Sequence, residues 1–358
     1  MTRVLMEMAN YGHSEVVFCS DNNTGLKAII AIHDTTLGPA LGGLRMKPYE
    51  TEEAALLDVL RLSRGMTYKS AIAGLNLGGG KSVIIGDPLK DKNEALLRSF
   101  GRFVDSLNGK YICAEDMGIC VGDMISVSKS TRYVSGLPTS LGGSGDPSGF
   151  TALGVLRGIQ ACAREIFGSD VLRGKRIAIQ GLGHVGYILA ELVHKEGAEI
   201  FCSEMVNTGA LIKARNEFGA TVIKPEDIYG VNCDIFAPCA IGGILNDKTI
   251  PRLKCKIVAG AANNQLAVPD RDGPALVKRG IFYAVDYVVN SGGVINVSVE
   301  QEPGGYNSEI ARKKVDAIYN IMKQIIELAR KENTLPYLVA DRLAMERINN
   351  SKAVLGGV

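Results

Sequence analysis

The run Arg176-Ile177-Ala178-Ile179-Gln180, followed directly by Gly181-Leu182-Gly183-His184-Val185-Gly186 and then by a helical apolar pattern up to Gly197, leaves few folds open to this chain. A strand that ends in GxGxxG and opens a helix reads as a phosphate cradle. The first glycine permits the tight turn, the second the close approach of a pyrophosphate to backbone N–H groups, and the third close helix–strand packing. The alternation continues downstream, with a strand at 199–203, a helix at 211–218, a strand at 221–223 and further strands at 235–236, 257–259 and 282–284. Repeated βαβ units predict a doubly wound parallel sheet of the Rossmann type. Glu204 ends the second of these strands. A carboxylate there accepts from ribose hydroxyls and repels a 2′-phosphate, which favours NAD over NADP.

The preceding sequence also alternates, which makes the first half α/β as well. After a short N-terminal helix, runs at 16–19 and 26–32 flank Asp21-Asn22-Asn23-Thr24-Gly25, a hairpin signal. A helix starts at Thr51 and ends near Gly65; a short strand is expected at 83–85, a helix at 93–107 and a strand at 111–114. Residues 135–149 concentrate glycine, proline and serine and form the expected hinge, before a helix at 151–167. Near the C-terminus, Val315, Ile318, Met322, Ile325 and Ala329 line one face of a long helix at 309–330. Leu335-Pro336 breaks it ahead of a last helix at 339–348, and these terminal helices are expected to return to the first domain. A length of 358 residues suits two domains. They are placed at 1–137, joined by 331–358, and at 138–330.

Composition narrows the chemistry. Forty basic and 38 acidic residues leave a charge of +2, so no nucleic-acid or membrane partner is expected and the ligand is small. Eight cysteines without a CxxC pair lie mostly in apolar runs, as in a reducing, cytoplasmic compartment. The N-terminus has no apolar signal region, and no segment has the length of a membrane span. Four histidines without HxxxH spacing predict no metal site. Acid–base work therefore falls to Lys, Asp, Glu or Tyr.

The most informative stretch outside the nucleotide motif is 66–82, MTYKSAIAGLNLGGGKS. Its GGGKS ending invites a Walker A reading, but GxxxxGK[ST] needs glycine where Leu75 stands, and the strand-like VIIG follows Ser82 in place of a helix. The glycines instead form a turn that lets the backbone approach a ligand and fixes Lys81 at the entry to a strand. Lysine becomes a useful acid–base group when burial or a neighbouring cation lowers its pKa, and Lys69 is a candidate for that cation. Glu115 and Asp116 follow a buried-looking strand, where catalytic groups of α/β domains sit, and spacing does not choose between them. The YxxxK of Tyr319 and Lys323 lies beside the apolar stripe of the long helix and reads as structural.

Taken together, GGLRM (42–46), MTYKSAIAGLNLGGGK (66–81), AEDMG (114–118), GGSGDPS (142–148), GLGHVG (181–186), APCA (237–240), AGAANNQL (259–266) and DYVVNSGGVINV (286–297) resemble the Glu/Leu/Phe/Val dehydrogenases over the whole chain and in order. The likeness is greatest to the leucine branch of that family. It implies oxidative deamination of an L-amino acid with NAD and water to a 2-oxo acid, ammonia and NADH. By the family pattern Lys69 holds the substrate carboxylate with Gly42, Gly43 and Asn263; Lys81 activates water, and Asp116 shuttles protons at nitrogen. The resemblance further places NAD on Gly181, Leu182, Gly183, His184, Val185, Gly186, Tyr187, Glu204, Ala240 and Asn263. It places the substrate side chain on Leu41, Ala114, Val294 and Val297. The glutamate enzymes carry lysine at the position of Leu41, so here an apolar, branched-chain side chain is implied. Phenylalanine or tryptophan dehydrogenation, or NAD sensing without turnover, are the alternatives. Opening and closing at the hinge and a homo-oligomer, often an octamer, complete the implied picture. Gly149-Phe150 and Glu204-Met205 depart from the family pattern, at the hinge and at the adenosine site respectively.

Overall fold

The computed structural model describes residues 4–355. Two compact units divide the chain: one takes the chain up to Asp146 with Val297–Ser308 and the chain from Ala344, and the other takes Pro147–Asn296 and Glu309–Leu343. The division falls at Asp146/Pro147, where the sequence suggested 137/138, and 331–343 goes with the second unit. No helix among the described residues is long and apolar enough to cross a membrane.

The first unit runs α1 (Val4–Tyr11), β1 (Glu15–Asp21), β2 (Leu26–Asp34), β3 (Ala40–Lys47), α2 (Glu52–Ile72), β4 (Gly78–Ile85), α3 (Glu94–Ser106), β5 (Tyr111–Glu115) and α4 (Val121–Ser128). Its sheet has the order β1-β2-β4-β3-β5. The expected hairpin is there, β1 and β2 pairing antiparallel from Glu15↔Ile32 to Asp21↔Leu26. β4 lies antiparallel to β2 and parallel to β3, which is parallel to β5. The period-2 alternation of β2 buries both faces: Ile30 and Ile32 join Phe100 and Val104 of α3, whereas Ile29 and Ala31 join Val59 and Leu60 of α2.

Three local readings are corrected here. β3 was not anticipated, because glycine and arginine dilute its apolar pattern. The glycine turn before Lys81 is itself strand, Gly78–Gly80 being the first residues of β4. Helix α2, capped by the Thr51 hydroxyl oxygen accepting from Ala54 N–H at 3.1 Å, continues through Gly65 to Ile72. Its far end is closed by Arg347, which donates to the Ala71 carbonyl (3.1 Å), in the last turn where carbonyls lack intrahelical partners, and to the Leu75 carbonyl just beyond the helix (2.6 Å).

The second unit begins with α5 (Ser148–Phe167) and follows with β6 (Arg176–Gln180), α6 (His184–Lys195), β7 (Glu199–Ser203), α7 (Thr208–Phe218), β8 (Thr221–Val222), β9 (Ile235–Pro238), β10 (Ile257–Val258), α8 (Pro269–Lys278), β11 (Phe282–Tyr283) and α9 (Asp286–Val289). Its six strands are all parallel, in the order β11-β10-β9-β6-β7-β8. The strand order reverses between β6 and β9, the kind of crevice where open α/β sheets take ligands. α10 (Gly292–Ser298) spans the division at Asn296/Val297. The expected long helix is two, α11 (Ser308–Asp316) and α12 (Ile318–Glu332), and the last is α13 (Pro336–Leu355). Ile318, Met322, Ile325 and Ala329 form the buried stripe of α12.

Candidate active site

In the first unit the site grows from strands with no side chains to separate them. A Cβ on Gly42 would lie 1.7 Å from the Gly80 carbonyl oxygen, and one on Gly79 would lie 2.1 Å from the backbone nitrogen of Thr67 in α2. Glycine at these places lets β3, β4 and α2 approach more closely than any side chain allows. Lys69 rides on the last turn of α2 and Lys81 on β4, so the two elements that carry the lysines are the ones drawn together. The Tyr111 hydroxyl donates to the Gly42 carbonyl at 2.7 Å and lies 2.8 Å from the Ser82 hydroxyl, fixing the Gly42-Gly43 backbone between β4 and β5.

Lys81 is buried, with its ammonium 3.1 Å from Asp116 Oδ2. Burial lowers the Lys81 pKa; Asp116 opposes the shift, and Arg45 adds to it. Burial alone would raise the Asp116 pKa, but Lys81 and Arg45 together hold it below the ordinary carboxylate value. Arg45 Nε donates to Asp116 Oδ2 at 2.8 Å, and its Nη1 donates to Asp58 Oδ2 at 3.1 Å. Of the two carboxylates that spacing left open, Asp116 is the one on Lys81. Leu41 and Ala114 are buried on adjacent strands, where Leu41 pairs with Ile112 and Gly43 with Ala114.

The second unit carries the glycine cradle. Gly181 adopts φ +94°, a left-handed conformation that suits glycine, and a Cβ there would lie 2.7 Å from that of Ala240. A Cβ on Gly186 would lie 2.0 Å from the Gly181 carbonyl oxygen, the close packing expected of the third glycine. Gly183 is different. Nothing stands within 4 Å of its missing Cβ, so this residue, the N-cap of α6, faces open space where a phosphate can approach the first turn His184-Val185-Gly186. Glu204 accepts from Leu182 N–H at 2.7 Å and from Met205 and Val206 N–H at 2.7 and 2.8 Å. Burial would raise its pKa, but these N–H groups hold it below the ordinary value, keeping it ionised beside the turn. These features fit a dinucleotide.

The remaining candidates are spread more widely. Asn263 follows β10, and its Oδ1 accepts from Asn290 Nδ2 at 2.9 Å. A Cβ on Gly260 would lie 2.2 Å from the Pro238 carbonyl oxygen, so the 237–240 and 259–266 segments lie against each other beyond β9 and β10. Val294 and Val297 are buried one turn apart on α10. Tyr187, in the first turn of α6, donates its hydroxyl to Glu217 (2.6 Å) and its N–H to the Gly183 carbonyl (2.9 Å), which ties it to the N-cap of the cradle. Tyr319 and Lys323 contact Asp170 and Glu327 on the outside of α12.

The sequence model of the Glu/Leu/Phe/Val dehydrogenase dimerisation domain matches residues 13–133, and that of the Glutamate/Leucine/Phenylalanine/Valine dehydrogenases matches 142–215 and 203–356. The chain belongs to this family. Within it, the chain is 55% identical to the leucine dehydrogenase of Geobacillus stearothermophilus over 345 residues, 96% of this chain and 93% of that one. Identity to the phenylalanine dehydrogenase of Caldalkalibacillus thermarum is 48%, over 94% of this chain and 91% of that one. The crystal structure of L-tryptophan dehydrogenase from Nostoc punctiforme superposes with a TM-score of 0.82 at 46% identity, covering 98% of this chain and 99% of that one.

For a Glu/Leu/Phe/Val dehydrogenase, the residues that sequence reasoning passed over are those around Lys81 and the Gly42 backbone, Arg45, Asp58, Tyr49 and Tyr111, and, in the second unit, Asn290 beside Asn263. One signal was present for Arg45. An arginine inside an otherwise apolar run, with an acidic residue on the following helix, marks a buried charge that needs partners.

Proposed function

We propose that this chain catalyses the reversible, NAD-dependent oxidative deamination of branched-chain aliphatic L-amino acids, L-leucine foremost, with valine and isoleucine. The observation that carries the reading is the ion pair of buried Lys81 with half-buried Asp116, 3.1 Å apart, in a chain 55% identical to a leucine dehydrogenase. Gly181, Leu182, Gly183, His184, Val185, Gly186, Tyr187, Glu204, Ala240 and Asn263 are the residues that would hold NAD. The ionised Glu204 disfavours a 2′-phosphate.

The roles follow from charge and proton inventory. Lys69 and the Gly42-Gly43 backbone hold the substrate carboxylate, with Asn263 assisting, its amide oriented by Asn290. Asp116 takes a proton from the substrate ammonium, which frees the nitrogen lone pair to stabilise the carbon from which hydride departs. Bound NAD supplies the hydride acceptor. Lys81, a neutral amine when its pKa is lowered, removes a proton from water as the water attacks the iminium carbon. The resulting ammonium stabilises the carbinolamine oxygen; Asp116 returns its proton to the departing nitrogen, and as the C–N bond breaks the hydroxyl proton passes to the ammonia, which leaves as ammonium while Lys81 gives its own proton to solvent. Leu41, Ala114, Val294 and Val297 supply the apolar surface for the side chain. Buried Leu41 offers glutamate no cation, and a hydrophobic pocket separates neighbouring aliphatics by only about 1–3 kcal/mol per methylene, so activity spreads over leucine, valine and isoleucine. The enzyme works as a cytoplasmic homo-oligomer, with an octamer as the expected form.

The test is NADH formation at alkaline pH with a panel of L-amino acids. Reduction of NAD with leucine, valine and isoleucine ahead of phenylalanine, tryptophan and glutamate is the expected result. No reduction with any amino acid overturns the assignment, and a preference for phenylalanine or tryptophan overturns the specificity alone.

A further inference from the structure

Arg45 is 13% exposed at its side chain and bridges two carboxylates from different elements, Asp116 beyond β5 and Asp58 on α2. Two cations meet on one oxygen of Asp116: Arg45 Nε at 2.8 Å and Lys81 Nζ at 3.1 Å both contact Oδ2. Among the described residues none donates to Oδ1. Arg45 is itself held from behind, since Asp58 Oδ2 also accepts from the Tyr49 hydroxyl at 2.7 Å and lies 3.8 Å from Lys47 Nζ. A guanidinium is planar and reaches two acceptors through different nitrogens in fixed directions, whereas an ammonium is a point charge that orients neither.

We propose that Arg45 is a positioning residue: by sharing Asp116 Oδ2 with Lys81 while anchored on Asp58, it fixes the carboxylate so that Oδ1 is the oxygen that exchanges protons with the substrate nitrogen. This rests on the role given to Asp116 above. The same arrangement sets the charge around Lys81. Facing that lysine are Asp116 and Cys113 of the β5 segment, Arg45 of β3 and Asp58 of α2, and Tyr111 faces Asp116. Burial pushes the Cys113 thiol up to about 12 and raises Tyr111 well above its ordinary value, so both stay neutral in the working range. Arg45 is therefore the cation, and Asp58 the outlying anion, that tune the pH at which Lys81 becomes a base.

The experiment measures kcat, KM for leucine and the pH dependence of kcat/KM for the full-length enzyme and for Arg45→Lys, Arg45→Gln and Asp58→Asn. Arg45→Gln is expected to lower kcat by about 30- to 100-fold with KM changed less than about threefold. Its acid limb moves to higher pH, because a cation near Lys81 is gone. Asp58→Asn moves the limb to lower pH, because an anion is gone. Arg45→Lys keeps the charge, so the limb stays near that of the unmodified enzyme, yet kcat remains at least about tenfold down because an ammonium does not orient the carboxylate. If Arg45→Gln does not fold, the other two variants decide. Full kcat in Arg45→Lys, or limbs that stay fixed in Asp58→Asn and Arg45→Gln while stability falls, would show a purely structural ion pair and overturn the proposal. An unmodified enzyme without leucine-dependent NADH formation would instead overturn the underlying reading.

Discussion

Two of the chain's glycine-rich segments, 78–80 and 181–186, use glycine for opposite purposes. In β4, Gly78, Gly79 and Gly80 are fully extended strand with no positive φ, and each missing side chain is a place where another element sits: Asp34 against Gly78, Thr67 of α2 against Gly79, Tyr111 against Gly80. In the 181–186 turn, Gly181 needs its left-handed backbone, Gly186 needs close packing, and Gly183 faces open space. One segment packs protein against protein to place a lysine. The other keeps room for a ligand. The same residue type thus accompanies burial of Lys81 in one unit and open space at the N-terminus of α6 in the other.

Substitutions break or sharpen that contrast. Lys81→Ala is expected to lower kcat by about 10³-fold or more, roughly 4 kcal/mol of barrier, as steady-state kinetics would read, since in the proposed reaction it removes both a general base and an oxyanion partner. Gly79→Ala puts a Cβ 2.1 Å from the Thr67 backbone nitrogen, which cannot swing aside like a side chain; a loss of more than about 3 kcal/mol in denaturant unfolding is expected, and a near-neutral result would mean that α2 does not press on β4. Leu41→Lys should lower leucine kcat/KM by about 100-fold through an unpaired charge in an apolar site, and unchanged kinetics would remove Leu41 from the pocket. Gly183→Ala, with room for its methyl, should leave unfolding stability within about 0.5 kcal/mol but weaken NAD binding by about tenfold, measured by calorimetry. Gly65→Ala is the smallest. Gly65 is exposed inside α2 with nothing within 4 Å of the added methyl, so the enzyme should gain about 0.5–1 kcal/mol.

The same contrast separates what could be read in the sequence from what could not. The second unit was legible because its strands and helices keep clean periods and its glycine motif sits between a strand and a helix, and order alone then placed Glu204 beside the turn. α8 was missed there, because Pro269, Gly273 and Pro274 look like a loop, although Pro269 fits the first helical turn and the helix continues through Pro274. In the first unit glycine hid the structure. β3 and β4 carry glycines that normally punctuate loops, and only the neighbouring elements, distant in sequence, explain why strand wins. Gly65 likewise suggested an end to α2 that tertiary packing overrides. At the site, Lys81 and the pair Glu115-Asp116 could be named from local sequence, with Asp116 indicated by the family resemblance, but the bridge of Arg45 between Asp116 and Asp58 depends on contacts 71 and 13 residues apart. No local pattern encodes them.

The division of labour between the two glycine segments is tested most directly by titrating Lys81→Ala with NAD in a calorimeter, alongside its leucine-dependent turnover. The account predicts NAD affinity within about twofold of the unmodified enzyme while turnover is lost, because the buried amine acts on the substrate and the cradle at 181–186 holds the cofactor. A loss of NAD binding in a folded Lys81→Ala protein would contradict it and make Lys81 a cofactor residue.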